Sequence, residues 1–246
     1  MNTIKNILNE SILGSNGAGI KVVVKDYYSK INYHDRENFE ISKDETSIIC
    51  HLKMIKVTDK FKEEFPDFVK FDDDVRYLEF IKAFTNESRL PKNIDRCITL
   101  KDIKDKIIDI SEFKVPQITF HNVKKTQQIK TGKTDDLFFL NSLDSNIKKI
   151  ECDVKNLYFN NCDINSLEMF DGGVQNIYLK DCSEINSLKG IPDKINELCI
   201  LNCSEDIDIS TFPSKINKLL LRDTPLVKKE KEIREVCKVG KLIIQK

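Results

Sequence analysis

The sequence predicts an α/β or mainly-β solenoid, a stack of short parallel strands with a cap at its N- and C-terminal ends. Three observations predict it. A unit of about twenty residues recurs along the chain, and self-similarity at that period marks stacked-repeat architectures. The clearest units, from Val154 to Leu226, have apolar residues at their first, fourth and sixth positions, and the earlier ones keep the fourth and sixth, an alternation that sets those two side chains on one strand face. The ninth position is mostly small, which suits a chain bending back toward a core. One strand cannot bury its apolar face alone, so successive units stack and share a continuous core.

Residues 1–19 form a leader and connector. Ile4, Ile7, Leu8 and Ser11 share one helical stripe, and Lys5, Asn9 and Glu10 interrupt the apolar run as no secretory signal would. Gly14-Ser-Asn-Gly17-Ala-Gly19 follows as a flexible link. A phosphate loop needs Gly-Lys-Ser/Thr opening a helix. Here Gly19 precedes Ile20-Lys21 and a β-like Val22-Val-Val24, so that reading is rejected. Residues 20–74 do not repeat and read as an N-terminal cap subdomain. Strands are expected at 22–24, 48–50 and 54–57, with a helical turn over 60–65 ending at Pro66.

Residues 75–226 carry the repeat. Val154-Lys-Asn-Leu157-Tyr-Phe159-Asn-Asn-Cys162 shows it most clearly. The fourth-position residues are Leu78, Ile98, Ile118, Leu137, Leu157, Ile177, Leu198 and Leu219, at spacings of 20, 20, 19, 20, 20, 21 and 21. The ninth-position column reads Ala83, Ile103, Val123, Ser142, Cys162, Cys182, Cys203 and Thr224. The pattern weakens over 124–133, where a lysine-rich stretch replaces the expected apolar return. Residues 227–246 read as a C-terminal cap: Ile233, Val236 and Cys237 share a helical face, and Gly240 is expected to stop the helix before a strand at 242–244.

The repeat resembles the leucine-rich repeat consensus, L-x-x-L-x-L-x-x-N/C-x-L, in its short form. The match is strongest from Val154 to Leu226 and recognisable from about Val75. The resemblance implies a curved solenoid with parallel strands on its concave face, a binding role usually toward protein, and no catalytic residues. The leader resembles those of internal head proteins of tailed bacteriophages, which are cut after Leu/Ile-x-Glu and before a small residue. Leu8-Asn9-Glu10 followed by Ser11 fits that motif. Leucine-rich-repeat proteins of phages from AT-rich bacteria are similar, and the heavy use of Lys, Ile, Asn and Asp agrees with such a source.

Composition narrows the functions. Forty basic and forty acidic residues leave no net charge, which argues against a nucleic-acid binder that neutralises phosphates. No stretch approaches the roughly 18 apolar residues of a membrane span. The expected partner is a protein, and the expected location is intracellular (host cytoplasm) or a virion. The eight cysteines contain no CxxC pair and the three histidines stand apart from them. Zinc needs about four convergent ligands, so the thiols are read as core side chains, with no metal or cofactor expected. Stacked strands lie about 4.8 Å apart, which makes Cys162, Cys182 and Cys203 neighbours.

A catalytic centre needs complementary groups at converging positions. The acidic run at 72–74 reads as a solvated turn, and His121 has no sequence-visible nucleophile. Lys124-Lys125 and the lysines of 130–133 form a basic loop that could hold a phosphate or nucleic acid, though Asp135-Asp136 follows directly. The expected function is non-enzymatic protein binding; the alternative is a structural virion component or self-assembling subunit, a homo-oligomer.

The site follows from strand alternation. Side chains between the buried fourth and sixth positions point outward, and that column reads Glu79, Thr99, Thr119, Phe138, Tyr158, Tyr178, Cys199 and Leu220. Its neighbour reads Ile81, Lys101, His121, Leu140, Asn160, Lys180, Leu201 and Arg222. Apolar patches of this kind mark interaction sites, and tyrosine is enriched among hot spots. Phe138, Tyr158, Tyr178, Leu201 and Arg222 are therefore the expected partner-binding residues.

Overall fold

The computed structural model describes residues 18–32, 36–72, 75–82, 84–144, 146–203 and 206–245. The leader with its Leu8-Asn9-Glu10 motif, His34, Asp73, Asp74 and Ala83 lie outside the described residues.

The chain enters through helix α1 (Ala18–Lys30), where a strand over residues 22–24 was expected. Three successive valines favour a strand locally. A longer period overrides them: Ile20, Val23, Val24, Tyr27 and Tyr28 recur at helical spacing and turn to the core, while Val22 is 66% exposed. Tertiary burial outweighs intrinsic propensity. Strands β1 (Phe39–Ile41) and β2 (Ile48–Cys50) pair antiparallel. β3 (Met54–Val57) and the short helix α2 (Phe61–Glu64) follow, and then β4 (Val69–Phe71) pairs parallel with β2 to complete a three-stranded sheet. Phe61 is buried and packs its ring near Phe65 and Phe71.

β3 joins a different sheet. It is followed there by β5 (Tyr77–Ile81), β6 (Cys97–Lys101), β8 (Gln117–His121), β9 (Gln128–Leu140), β10 (Lys149–Asn160), β12 (Val174–Lys180), β13 (Lys194–Leu201), β14 (Lys215–Arg222) and β15 (Lys238–Gln245). Every pairing along this path is parallel. The result is a mainly-β solenoid of about 9 turns with repeats of ~21 residues and little helix.

The predicted register holds throughout. Leu157 lies opposite Leu137 and Ile177, and Phe159 opposite Phe139 and Leu179. All fourth- and sixth-position residues from Leu78 to Leu221 are buried. Phe120, Phe139 and Phe159 stack through the core with ring centroids 5.1 and 5.3 Å apart. Each such side chain contributes about 1.5–3 kcal/mol by leaving water. The ninth-position residues Ile103, Val123, Ser142, Cys162, Cys182, Cys203 and Thr224 are buried as well.

A further periodic column sits one residue earlier. Lys82, Asp102, Asn122, Asn141, Asn161, Asp181, Asn202 and Asp223 all adopt φ between 49° and 68°. This left-handed residue ends each strand and turns the chain so that the ninth side chain enters the core. Asn and Asp tolerate the conformation better than other L-residues because their short polar side chains bond locally.

The lysine-rich return at 124–133 does not weaken the solenoid. β7 (Ile107–Ile110), the starts of β9 and β10, and β11 (Phe170–Asp171) form a second parallel ladder, with Ile129 opposite both Ile108 and Ile150. Thr126, Ile129 and Thr131 point inward and are buried, while Lys130 faces out beside Asp109. Alternation thus persists with threonine standing for an apolar residue, and the Thr126 hydroxyl is satisfied by donating to the Asp105 carbonyl at 2.8 Å.

At the other end, α3 (Glu230–Val236) is the return segment between β14 and β15 and packs against the 3-10 turn Ile209–Thr211. Ile233 and Cys237 are buried as predicted, but Val236 is 49% exposed. Gly240 does not stop the helix. The chain is already extended at Cys237, and Gly240 lies inside β15, where a Cβ would come within 2.6 Å of the Asn217 carbonyl oxygen. Among the described residues, no helix is long and apolar enough to cross a membrane.

Candidate functional site

Because the fourth and sixth residues of each strand fill the core, the third, fifth and seventh face outward. The fifth-position column brings Phe138, Tyr158 and Tyr178 into direct register on β9, β10 and β12. Their rings form one stack, with centroids 4.2 and 4.5 Å apart and planes within 5° and 9°. That separation approximates the distance between strands, so the rings lie one above another along the sheet. All three are half-buried. The stack continues toward β8 and β6 as the half-buried threonines Thr119 and Thr99.

Toward the C-terminal end the column changes. Cys199, opposite Tyr178, is only 5% exposed. It points outward as expected but is covered there rather than exposed. Its thiol sits behind the Glu197 carboxylate, with Sγ 3.5 Å from Oε1. Burial pushes this thiol up to about 12. Glu197 in turn accepts from Lys218 Nζ at 2.5 Å and lies 3.5 Å from the Tyr178 hydroxyl. The lysine holds the Glu197 carboxyl below its ordinary value, and burial followed by the Glu197 charge raises the Tyr178 phenol. Tyr158 is raised for the same first reason, burial, with Asp136 and Glu197 adding to it.

Leu201 and Arg222 are in register with one another on β13 and β14, in the seventh-position column, and both are half-buried. They stand beside Cys199 and Leu220 rather than beside the rings. The five predicted residues therefore form a stack of three and a separate pair, on one face of one sheet.

An amide ladder runs along the other flank of the stack. Asn156 donates to Asp136 at 2.7 Å, Asn176 to Asn156 at 2.6 Å, Asn196 to Asn176 at 2.9 Å and Asn217 to Asn196 at 3.2 Å. Asn156, Asn176 and Asn196 each give one bond and take one, and Asn217 ends the ladder as a donor, which holds the strand starts in line. The recurring Asn before each strand core was visible in the sequence; only its continuity required the register.

The remaining chemistry-bearing residues lie elsewhere. Cys162, Cys182 and Cys203 are buried in successive turns with free thiols. Cys162 donates to the Phe139 carbonyl at 3.4 Å, Cys182 to Lys180 at 3.4 Å and Cys203 to Leu201 at 3.5 Å. Burial pushes Cys203 up to about 11; a thiol in that state is a weak nucleophile. His121 occupies the seventh-position column between Lys101 and Leu140. His51, by contrast, lies between two carboxylates, its Nδ1 2.8 Å from Asp72 and its Nε2 3.7 Å from Glu40. Among the described residues, no three His, Cys, Asp or Glu side chains are grouped to hold a metal ion.

No family model matches the chain, and neither does any curated protein or solved structure.

Proposed function

We propose that the chain is a non-enzymatic protein-binding module acting through the outward face of its long sheet, with Phe138, Tyr158 and Tyr178 as anchor and Leu201 and Arg222 beside it. The observation that carries this reading is the three-ring stack on a surface where isolated strands would place polar residues. Rings held by their neighbours lose little freedom when a partner arrives, which lowers the entropic cost of binding. Tyrosine adds a hydroxyl at the rim of an apolar body, the combination enriched in binding hot spots. The short leucine-rich-repeat pattern supports the same role, since the strand side of such repeats is their concave binding face. The phage-type leader motif favours a host or virion protein as the target.

The test is the double substitution Tyr158→Ala with Tyr178→Ala, followed by capture from the native host and mass spectrometry. The expected outcome is a folded protein whose partner recovery falls at least tenfold, about 1.4 kcal/mol. Undiminished capture moves the site off this face.

A self-assembling or structural role is the second reading, and the open edge favours it. β15 pairs only with β14 among the described strands, and its Leu242, Ile243 and Ile244 are half-buried. Unpaired strand edges are templates for another chain. Light scattering on the purified protein decides between the two: a defined homo-oligomer supports assembly, a monomer supports a foreign partner.

A further inference from the structure

We propose that the hollow beside the turns after β5, β6 and β8 is an oxyanion site for a small ligand carrying two or more phosphate groups. Lys82, Lys104, Lys124 and Lys125 line it with Ile103 and Asn122, and Asp102 is the one lining carboxylate. Its volume is about 590 Å³, within the range of small-molecule sites. All four lysines are exposed.

Two independent observations point to a ligand. The first is electrostatic. Some lysines elsewhere pair with carboxylates, as Lys149 does with Glu151 and Asp171 and Lys218 with Glu197, and others, such as Lys194, stand singly on the surface. Around this hollow, Lys82, Lys104 and Lys125 make no ion pair among the described residues, and Lys124 reaches only Asp163, at 3.5 Å. Asp102 is itself engaged by the Asn122 amide. In a chain with no net charge, like charges gathered without partners repel one another unless an anion joins them.

The second is conformational. Seven of the eight strand-ending left-handed residues are Asn or Asp; the exception is Lys82, at φ 68°. Lys125 is left-handed too, at φ 67°. Only four described non-glycine residues other than Asn and Asp adopt positive φ (Glu45, Lys82, Lys125 and Leu143), and two of them line this one hollow. Lysine has no local bond to ease that conformation. Backbone strain kept where an easier residue is used in neighbouring turns points to function.

The chemistry follows from the side chains. Ammonium groups are compact point charges suited to phosphate oxygens rather than to bidentate carboxylate recognition. Three unpaired ammonium groups, a fourth shared with Asp163 and one lining carboxylate call for a multiply charged anion. The basic loop read from the sequence divides accordingly: Lys124 and Lys125 belong to this hollow, whereas Lys130 turns away to Asp109.

Calorimetric titration of the full chain with tripolyphosphate at low ionic strength tests the proposal. One saturable site is expected, weakening as salt rises. Lys82→Asn with Lys125→Asn should weaken binding at least tenfold while the melting temperature stays level or rises, because Asn tolerates the left-handed backbone that both positions adopt. Lys194→Asn, an exposed lysine on β13, should bind as the parent does. A nucleoside triphosphate binding at least tenfold tighter than tripolyphosphate would identify a nucleotide as the source, and equal binding a free polyphosphate. Absence of saturable binding overturns the site. So does parental affinity in the double variant, or equal weakening by Lys194→Asn, which would mean diffuse attraction only.

Discussion

The turns from β5 to β8 and those from β9 to β14 share one backbone and differ in what they place on it. In the earlier turns the outward fifth position holds Glu79, Thr99 and Thr119, and the ninth holds bulky Ile103 and Val123. In the later turns the outward position is aromatic from Phe138 to Tyr178, and the ninth position shrinks to Ser142 and then cysteine. Both sets end their strands in the left-handed conformation and bury their fourth and sixth residues equally. The solenoid therefore constrains backbone and inner face, and leaves the outward columns free to differ from turn to turn. Ser142 shows how narrow the inner tolerance is. Its hydroxyl is fully buried only because its one proton is held between the Leu140 and Phe120 carbonyls, at 2.8 and 3.1 Å, while its oxygen accepts from the Val123 amide.

If the two regions are equivalent inside, Leu100→Ala and Leu179→Ala should each destabilise the protein by about 2–5 kcal/mol, read as a fall in the denaturation midpoint. A large loss at one and none at the other would break the equivalence. The next effect is at the turns. Asn161→Ala should cost about 1–2 kcal/mol because Ala lacks the local bond that eases the left-handed backbone, while Asn161→Gly should cost much less. Equal losses from both would show that the Asn161 side chain, which donates to Asn141 at 2.7 Å, matters more than its φ. The smallest effect separates the outward faces by pH. Glu197 is held below its ordinary value, chiefly by Lys218, so its contribution is present above the unfolded-state pKa and is lost as pH falls through the depressed folded value. Glu197→Gln should lower the melting temperature slightly at neutral pH, and that gap should close in acid. A gap independent of pH would assign the loss to packing.

The repeat was legible because its signal is local and redundant: Leu157 and Phe159 alternate with polar neighbours, and the same alternation returns in every unit. The outward position of Tyr158 and Tyr178 followed from that alternation alone. The left-handed column from Asp102 to Asp223 was equally written in the chain but is a single position per unit, easily passed over beside three apolar ones. Besides that for Val236, which is exposed, three expectations failed for a common reason. Val22-Val-Val24 looked like a strand, Gly240 like a helix stop and Cys199 like a surface residue, each judged on a window of a few residues. Their outcomes depended on Tyr27 packing against Phe68, on Asn217 lying beside Gly240, and on Glu197 and Lys218 meeting over Cys199.

By itself, then, the sequence determined the period, the inner columns and the direction in which each strand residue points, because a strand's side chains alternate whatever surrounds them. Only the tertiary structure decided how the outward side chains meet. The stacking of Phe138 on Tyr158, the amide ladder from Asp136 to Asn217 and the gathering of Lys82 with Lys125 all join residues about twenty or more positions apart. Such contacts depend on the rotation from one turn to the next and on the registry of neighbouring strands, and no window of the chain shorter than a full repeat contains them.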